Sequence, residues 1–178
     1  MIRDISVHAK PSNNNAKLLF YILLVLTAAS TVVYLAIERY KGVVGLVALV
    51  FVTALVFVYN KYLSSKYYYD VTTDSLGSIF VVRQVIGKRQ STLCKISLSG
   101  IVKITKETAE ERRAHKTPAE YRKYVYTPTL SPKTGYRITS VSRYEKAEIV
   151  VEISDEFAAL LSEYAEEARN IEMISEDE

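Results

Sequence analysis

Apolar residues follow three different rhythms along this chain. From Leu18 to Ile37, and again from Val43 to Tyr59, they run almost without interruption. The first run is 20 residues without a charge, which as an α-helix measures ~30 Å, the thickness of a bilayer's hydrocarbon core. It is also longer than the ~7–15 apolar residues of a signal-peptide core. The second run is shorter, and Asn60, Lys61, Tyr62 and Leu63 extend it, because lysine snorkels and tyrosine favours the interface. The link ERYKG between the runs is too short to hold a domain, so the pattern predicts a tight antiparallel transmembrane hairpin over residues 17–63. Gly42, Gly45 and Ala48 place small side chains along one face of the second span, where they allow close helix packing.

After the hairpin the rhythm changes to period two, the signature of half-buried strands. YYYDVTT and SIFVVRQV flank the turn DSLG, IGKRQ turns the chain again, and STLCKISL and GIVKITK follow. In these last two, Cys94, Ile96 and Leu98, then Val102 and Ile104, are expected to point inward. Residues Glu107 to Lys123 lack an apolar face and read as a solvated loop or frayed helix. YVYTP predicts a brief strand, and YRITSVSRY with EKAEIVVEI a hairpin in which Ala147, Ile149, Val151 and Ile153 face the core and Glu148 and Glu152 face away.

The third rhythm is helical. Phe157, Leu160, Leu161, Tyr164, Ala168 and Ile171 recur at steps of three and four. Ser154 is the expected N-cap, with Asp155 and Glu156 complementing the helix dipole. The chain thus divides into an N-terminal tail (1–16), the hairpin (17–63), a β domain with a C-terminal helix (64–171) and an acidic, disordered tail (172–178).

Charge sharpens this division. Residues 64–153 hold 16 Lys and Arg against 9 Asp and Glu, and residues 154–178 hold 1 against 9. Around the hairpin, Arg3, Lys10, Lys17, Lys61 and Lys66 on the terminal side outnumber Arg39 and Lys41 in the link, so the positive-inside rule places both termini in the cytoplasm of a cell membrane. No Asp, Glu, Lys, Arg or His lies inside Leu18–Ile37 or Val43–Tyr59, which argues for an anchor rather than an ion or proton path.

Chemistry is sparse. His8 and His115 sit in loosely patterned segments and are expected to be solvated; Cys94 alternates with core positions and reads as a buried hydrophobe. The carboxylates cluster on the outer helix face and tail, and the 6 glycines form no phosphate loop. No catalytic group, metal site or cofactor is expected. Of the 14 tyrosines, Tyr59, Tyr62, Tyr67, Tyr68 and Tyr69 suit an interfacial belt and Tyr121, Tyr124, Tyr126, Tyr136 and Tyr144 suit strands. No RNA-binding motif accompanies them, and nucleic acid is not an expected partner.

Seven strands followed by one amphipathic helix is the order of a pleckstrin-homology-like (PH-like) barrel. The stretch YDVTTDSLGSIFVVRQVIGKRQSTLCKISLSGIVKI is similar to the opening half of bacterial PH-like domains that follow two membrane spans. The resemblance covers about Tyr67 to Asn170 and the preceding hairpin. It implies an α+β membrane protein: a transmembrane hairpin, then a PH-like seven-stranded barrel or sandwich closed by a C-terminal helix. The arginine usual after the T-D turn is replaced by Ser75 and Leu76, and the first hairpin lacks the basic residues of phosphoinositide binders.

These observations lead to the expectation of a membrane-anchored, non-catalytic protein-interaction or assembly module. The resemblance implies a groove between the fifth strand, Tyr124, Val125 and Tyr126, and the closing helix, with Glu163, Glu166 and Glu167 beside it. A basic extended segment of another membrane or cytoplasmic protein is the expected ligand, and a homo-oligomer is a compatible arrangement. The alternative is sensing of anionic lipid headgroups through Lys61, Lys66, Lys88 and Arg89; a membrane-tethered enzyme is the remote alternative.

Overall fold

The computed structural model describes residues 4–9, 14–74, 77–142 and 145–176. Two compact units emerge, one of Ser12–Ser65 and the other of Met1–Pro11 with Lys66–Glu178.

The first unit is a helix pair: α1 (Asn14–Ala36), a 3-10 turn (Glu38–Tyr40) and α2 (Lys41–Val58), ending in one wide π turn (Tyr59–Leu63). Both α-helices are long and apolar enough to cross a membrane. Leu19, Phe20, Leu23, Thr27 and Ser30 of α1 and Val44, Gly45, Ala48, Phe51, Ala54 and Leu55 of α2 are the half-buried positions. Their steps of three and four make a coiled-coil-like seam. The hydroxyls of Thr27, Ser30, Thr31 and Thr53 each donate to the carbonyl four residues back, at 2.8 to 2.9 Å. These four hydroxyls are thereby satisfied within their own helices, without water.

The second unit holds two four-stranded sheets and a helix. In chain order these are β1 (Ile5–His8), β2 (Ser65–Asp74), β3 (Gly77–Ile86), β4 (Arg89–Ser97), β5 (Ile101–Thr108), the short helix α3 (Ala109–Ala114), β6 (Arg122–Tyr126), β7 (Thr134–Val141), β8 (Lys146–Val151) and α4 (Asp155–Glu176). The first sheet runs β1-β2-β3-β4 and the second β5-β7-β8-β6. The sheets are not closed into one barrel. Between them lie Tyr67, Tyr69, Val71, Phe80, Val82, Ile138 and Ile149, with Phe157, Leu161 and Ala165 of α4 in the same core.

Several expectations are revised here. Residues 5–8, read as part of a tail, pair antiparallel with β2, Ile5 opposite Val71 and His8 opposite Tyr68. Among the described residues eight strands therefore stand where seven were expected. Val102 was expected inside but is 56% exposed. A bulge between Ile101 and Lys103 leaves Val102 without a partner on β7, and the alternation changes face there, so Ile101 and Ile104 turn inward. Glu148 does face away from the core, yet only 5% of it is exposed, because the 109–133 segment lies over that face of the second sheet. Of the loop or frayed helix expected there, the helix forms at Ala109–Ala114, where α3 starts with a capping box, Thr108 accepting from the Glu111 backbone and Glu111 from that of Thr108.

Ser154 caps α4 as expected, its hydroxyl accepting from Phe157 N–H at 3.2 Å. The helix runs to Glu176, through most of the expected tail, and Ile171 of the expected stripe is exposed while Ala158 and Ala165 are buried. The expected roles of Arg3, Lys10, Ser75, Leu76 and Tyr144, and the last two residues of the tail, lie outside the described residues.

Candidate functional site

β6 terminates the second sheet. It pairs in parallel with β8, Arg122 opposite Ala147 through Tyr126 opposite Val151, and has a strand neighbour on one side only. Tyr124 and Tyr126 turn toward the core, their rings stacked at 6.1 Å and 7°. Their hydroxyls donate to Glu145 at 2.7 Å and to the Leu93 carbonyl at 3.3 Å. Arg122, Lys123 and Val125 are exposed. Among the described residues β6 is thus a terminal strand whose tyrosines are tied down by hydrogen bonds, and a terminal strand is where a further strand can be received.

The other half of the expected groove lies elsewhere. α4 starts beside β5 and β7, where Asp155 accepts from Lys106 at 2.5 Å and from Tyr136 at 2.7 Å. Its later residue Glu172 lines an open pocket of about 410 Å³ with Gly100, Ser140 and Val141, at the opposite end of those strands. α4 therefore runs along β5, and β5 and β6 are opposite edges of the sheet. Glu163 and Glu166 are exposed on α4 and Glu167 is half-buried. The strand order explains the separation. The excursion over 109–121 carries the chain across to the far edge, and β7 and β8 then fill the space between.

The cations divide between the two units. Lys61 belongs to the helical unit and stacks over the Phe57 and Tyr62 rings, 5.5 and 5.4 Å from their centroids. Lys66, at the start of β2, and Lys88 and Arg89, at the β3–β4 turn, are exposed on the sheet unit. Of the small residues, Gly45 and Ala48 lie on the half-buried side of α2. A Cβ at Gly45 would sit 3.4 Å from the Tyr34 ring, whereas one at Gly42 meets nothing within 4 Å.

Sequence reasoning missed a buried polar cluster on the outer face of the second sheet. Arg137 reaches both carboxylate oxygens of Glu107, at 2.7 and 2.8 Å, and approaches Glu148 at 3.9 Å. Glu148 also takes hydrogen bonds from Thr117 at 2.7 Å and from the His115 ring at 3.1 Å. Burial alone would raise the Glu148 pKa, but the hydrogen bonds from Thr117 and His115, aided by the charge of Arg137, outweigh it and hold the carboxyl below its usual range. Nearby, Thr129 donates to Glu152 through both its N–H and its hydroxyl. The sheet carboxylates Glu148 and Glu152 thus hold His115, Thr117 and Thr129 of the overlying chain. The one sequence signal was that outward carboxylates on β5 and β8 matched an outward Arg137 on β7.

Cys94 packs against the core, and burial pushes its thiol up to about 11. The described residues contain no group of three or more His, Cys, Asp or Glu able to hold a metal ion. No protein-family model matches this chain, and neither the curated proteins nor the solved structures contain a match to it.

Proposed function

We propose that the protein is a membrane-anchored, non-catalytic interaction module that captures an extended segment of another protein at the free edge of β6. The carrying observation is that edge, a terminal strand with one strand neighbour, stiffened on its core side by Tyr124 and Tyr126. Main-chain hydrogen bonds would supply affinity, and Lys123 and Val125 would select an acidic and an apolar side chain of the incoming strand. The charge argument from Glu163, Glu166 and Glu167 for a basic ligand loses force, because α4 runs along the opposite edge.

Anchoring is supported by the exposed apolar surface of both long helices. The pairing of β1 with β2 supports placing the segments before α1 and after α2 on one side of a bilayer, and the basic flanks favour the cytoplasmic side. A tethered domain meets membrane partners at effective concentrations toward ~mM. As for the fold, two sheets ending in a helix support a variant of the PH-like barrel, with the parallel β6–β8 pair as its departure.

The test is photo-crosslinking in native membranes from a reactive amino acid placed at Val125, with Ser162 on α4 as the control. A discrete protein adduct at Val125, lost when Arg122 and Lys123 are changed to Glu in a folded chain, is expected. Equal adducts at both positions, or adducts insensitive to the charge change, would sink the strand-capture reading.

A further inference from the structure

One end of the first sheet carries cations and no acids. Both connections to the helix pair leave from this end, since β2 starts at Ser65 directly after the π turn and β1 finishes at His8 opposite Tyr68. The short connection from Asp74 to Gly77 makes β2 and β3 an antiparallel hairpin, so β3 returns to the same end, where Gln84 donates to the Tyr67 hydroxyl at 3.2 Å. Gly87, at φ 59°, then turns the chain into β4, presenting Lys88 and Arg89 beside the start of β2. Neither 59–69 nor 84–93 contains an Asp or Glu. Among the described residues Lys66, Lys88 and Arg89 are exposed and make no ion pair, whereas the less exposed Arg83 and Arg137 are each matched to a carboxylate.

We propose that this basic end docks the domain on anionic headgroups of the same bilayer that holds its helices. The occupant follows from continuity and charge. Ser65 lies two residues past the end of the second candidate span at Leu63, so chain continuity keeps the start of β2 within a short reach of that span, and anionic lipid would meet cations whose own strand ends, 59–69 and 84–93, hold no carboxylate. Each such cation strengthens surface binding roughly fivefold. Docking would fix the domain's orientation and is independent of capture at β6; it rests on the reading of α1 and α2 as membrane spans.

The experiment uses the full chain in nanodiscs of phosphatidylcholine, alone or with roughly one-third phosphatidylglycerol, with hydrogen exchange read at residues 84–93. Several-fold slower exchange in the anionic nanodiscs is expected. That protection should disappear in a Lys88→Glu, Arg89→Glu double variant, and on raising salt from ~0.1 M to ~1 M, which shortens the screening length from about 10 to about 3 Å. Equal exchange in both lipids, or protection that survives the double variant, would overturn the proposal, as would equal protection by inorganic phosphate in neutral nanodiscs. A chain that does not enter nanodiscs would overturn the membrane reading and this proposal with it, so the two failures are distinguishable.

Discussion

The hydroxyl of Tyr69 on β2 donates a 2.7 Å hydrogen bond to the carbonyl oxygen of Tyr126, 57 positions along the chain at the end of β6. The same hydroxyl accepts from the Glu152 N–H at 3.3 Å. In the parallel register Tyr126 faces Val151, so these are the next groups along the β6–β8 ladder, and a side chain from the other sheet bridges them. Tyr69 is fully buried, and burial holds its proton well above the usual tyrosine range.

Tyr69→Phe should therefore destabilise the sheet unit by about 1–3 kcal/mol, since it leaves a part-buried carbonyl and a part-buried N–H without this partner. Thermal unfolding of the full chain in detergent measures the loss. Hydrogen exchange at 122–126 should also rise in the variant, and an unchanged β6 would contradict the bridging role.

Glu148 makes acid stability dependent on the segment over the second sheet. Its folded pKa is depressed below 4.5, so its contribution is complete above that value and is lost as pH falls through the folded pKa. Glu148→Gln should cost about 1–3 kcal/mol at neutral pH. The variant's stability should also fall less steeply below pH 4.5 than that of the parent. Parallel acid profiles for the two chains would contradict this account.

The helix pair distinguishes its two glycines. Gly45→Leu must push the Tyr34 ring away and separate α1 from α2, whereas Gly42→Leu enters open space. The first should lower the detergent melting temperature, at a cost of about 1–3 kcal/mol for overpacking, and the second should leave it unchanged. Equal effects would show that the seam does not pass through Gly45.

β1 should be required by the domain. Its Ile5 and Val7 pack on the core, Asp4 accepts from Thr73 N–H at 3.1 Å, and Ala9 donates to the Tyr67 carbonyl at 3.1 Å. Deleting residues 1–9 opens the edge of β2 and should cost at least about 2 kcal/mol, read as a lower unfolding midpoint of the sheets. A deletion variant with parental stability would make β1 an ornament of the edge.

The sequence by itself determined both long helices, strands β2 to β8 and the start of α4. Unbroken apolar runs dictate helices whose surface suits lipid, alternation at 147–151 dictates β8, and Ser154 before an apolar stripe dictates where α4 starts, because each signal is local to its own element. Tertiary structure decided everything that depends on what lies over a face or beside an edge. His115 read as solvated, and Glu148 only as facing away from the core, because nothing in their own segments reveals that the chain over 109–121 and 127–133 lies on the sheet. Val102 read as core because strict alternation back from Ile104 places it inward, whereas a one-residue bulge, set by pairing with β7, turns Ile101 inward in its place. The four residues 5–8 are too short to announce a strand alone, and become one only because β2, some 60 positions later, offers an edge. The groove between β6 and α4 depended on strand order, which local periodicity does not encode, and β7 and β8 lie between its two halves.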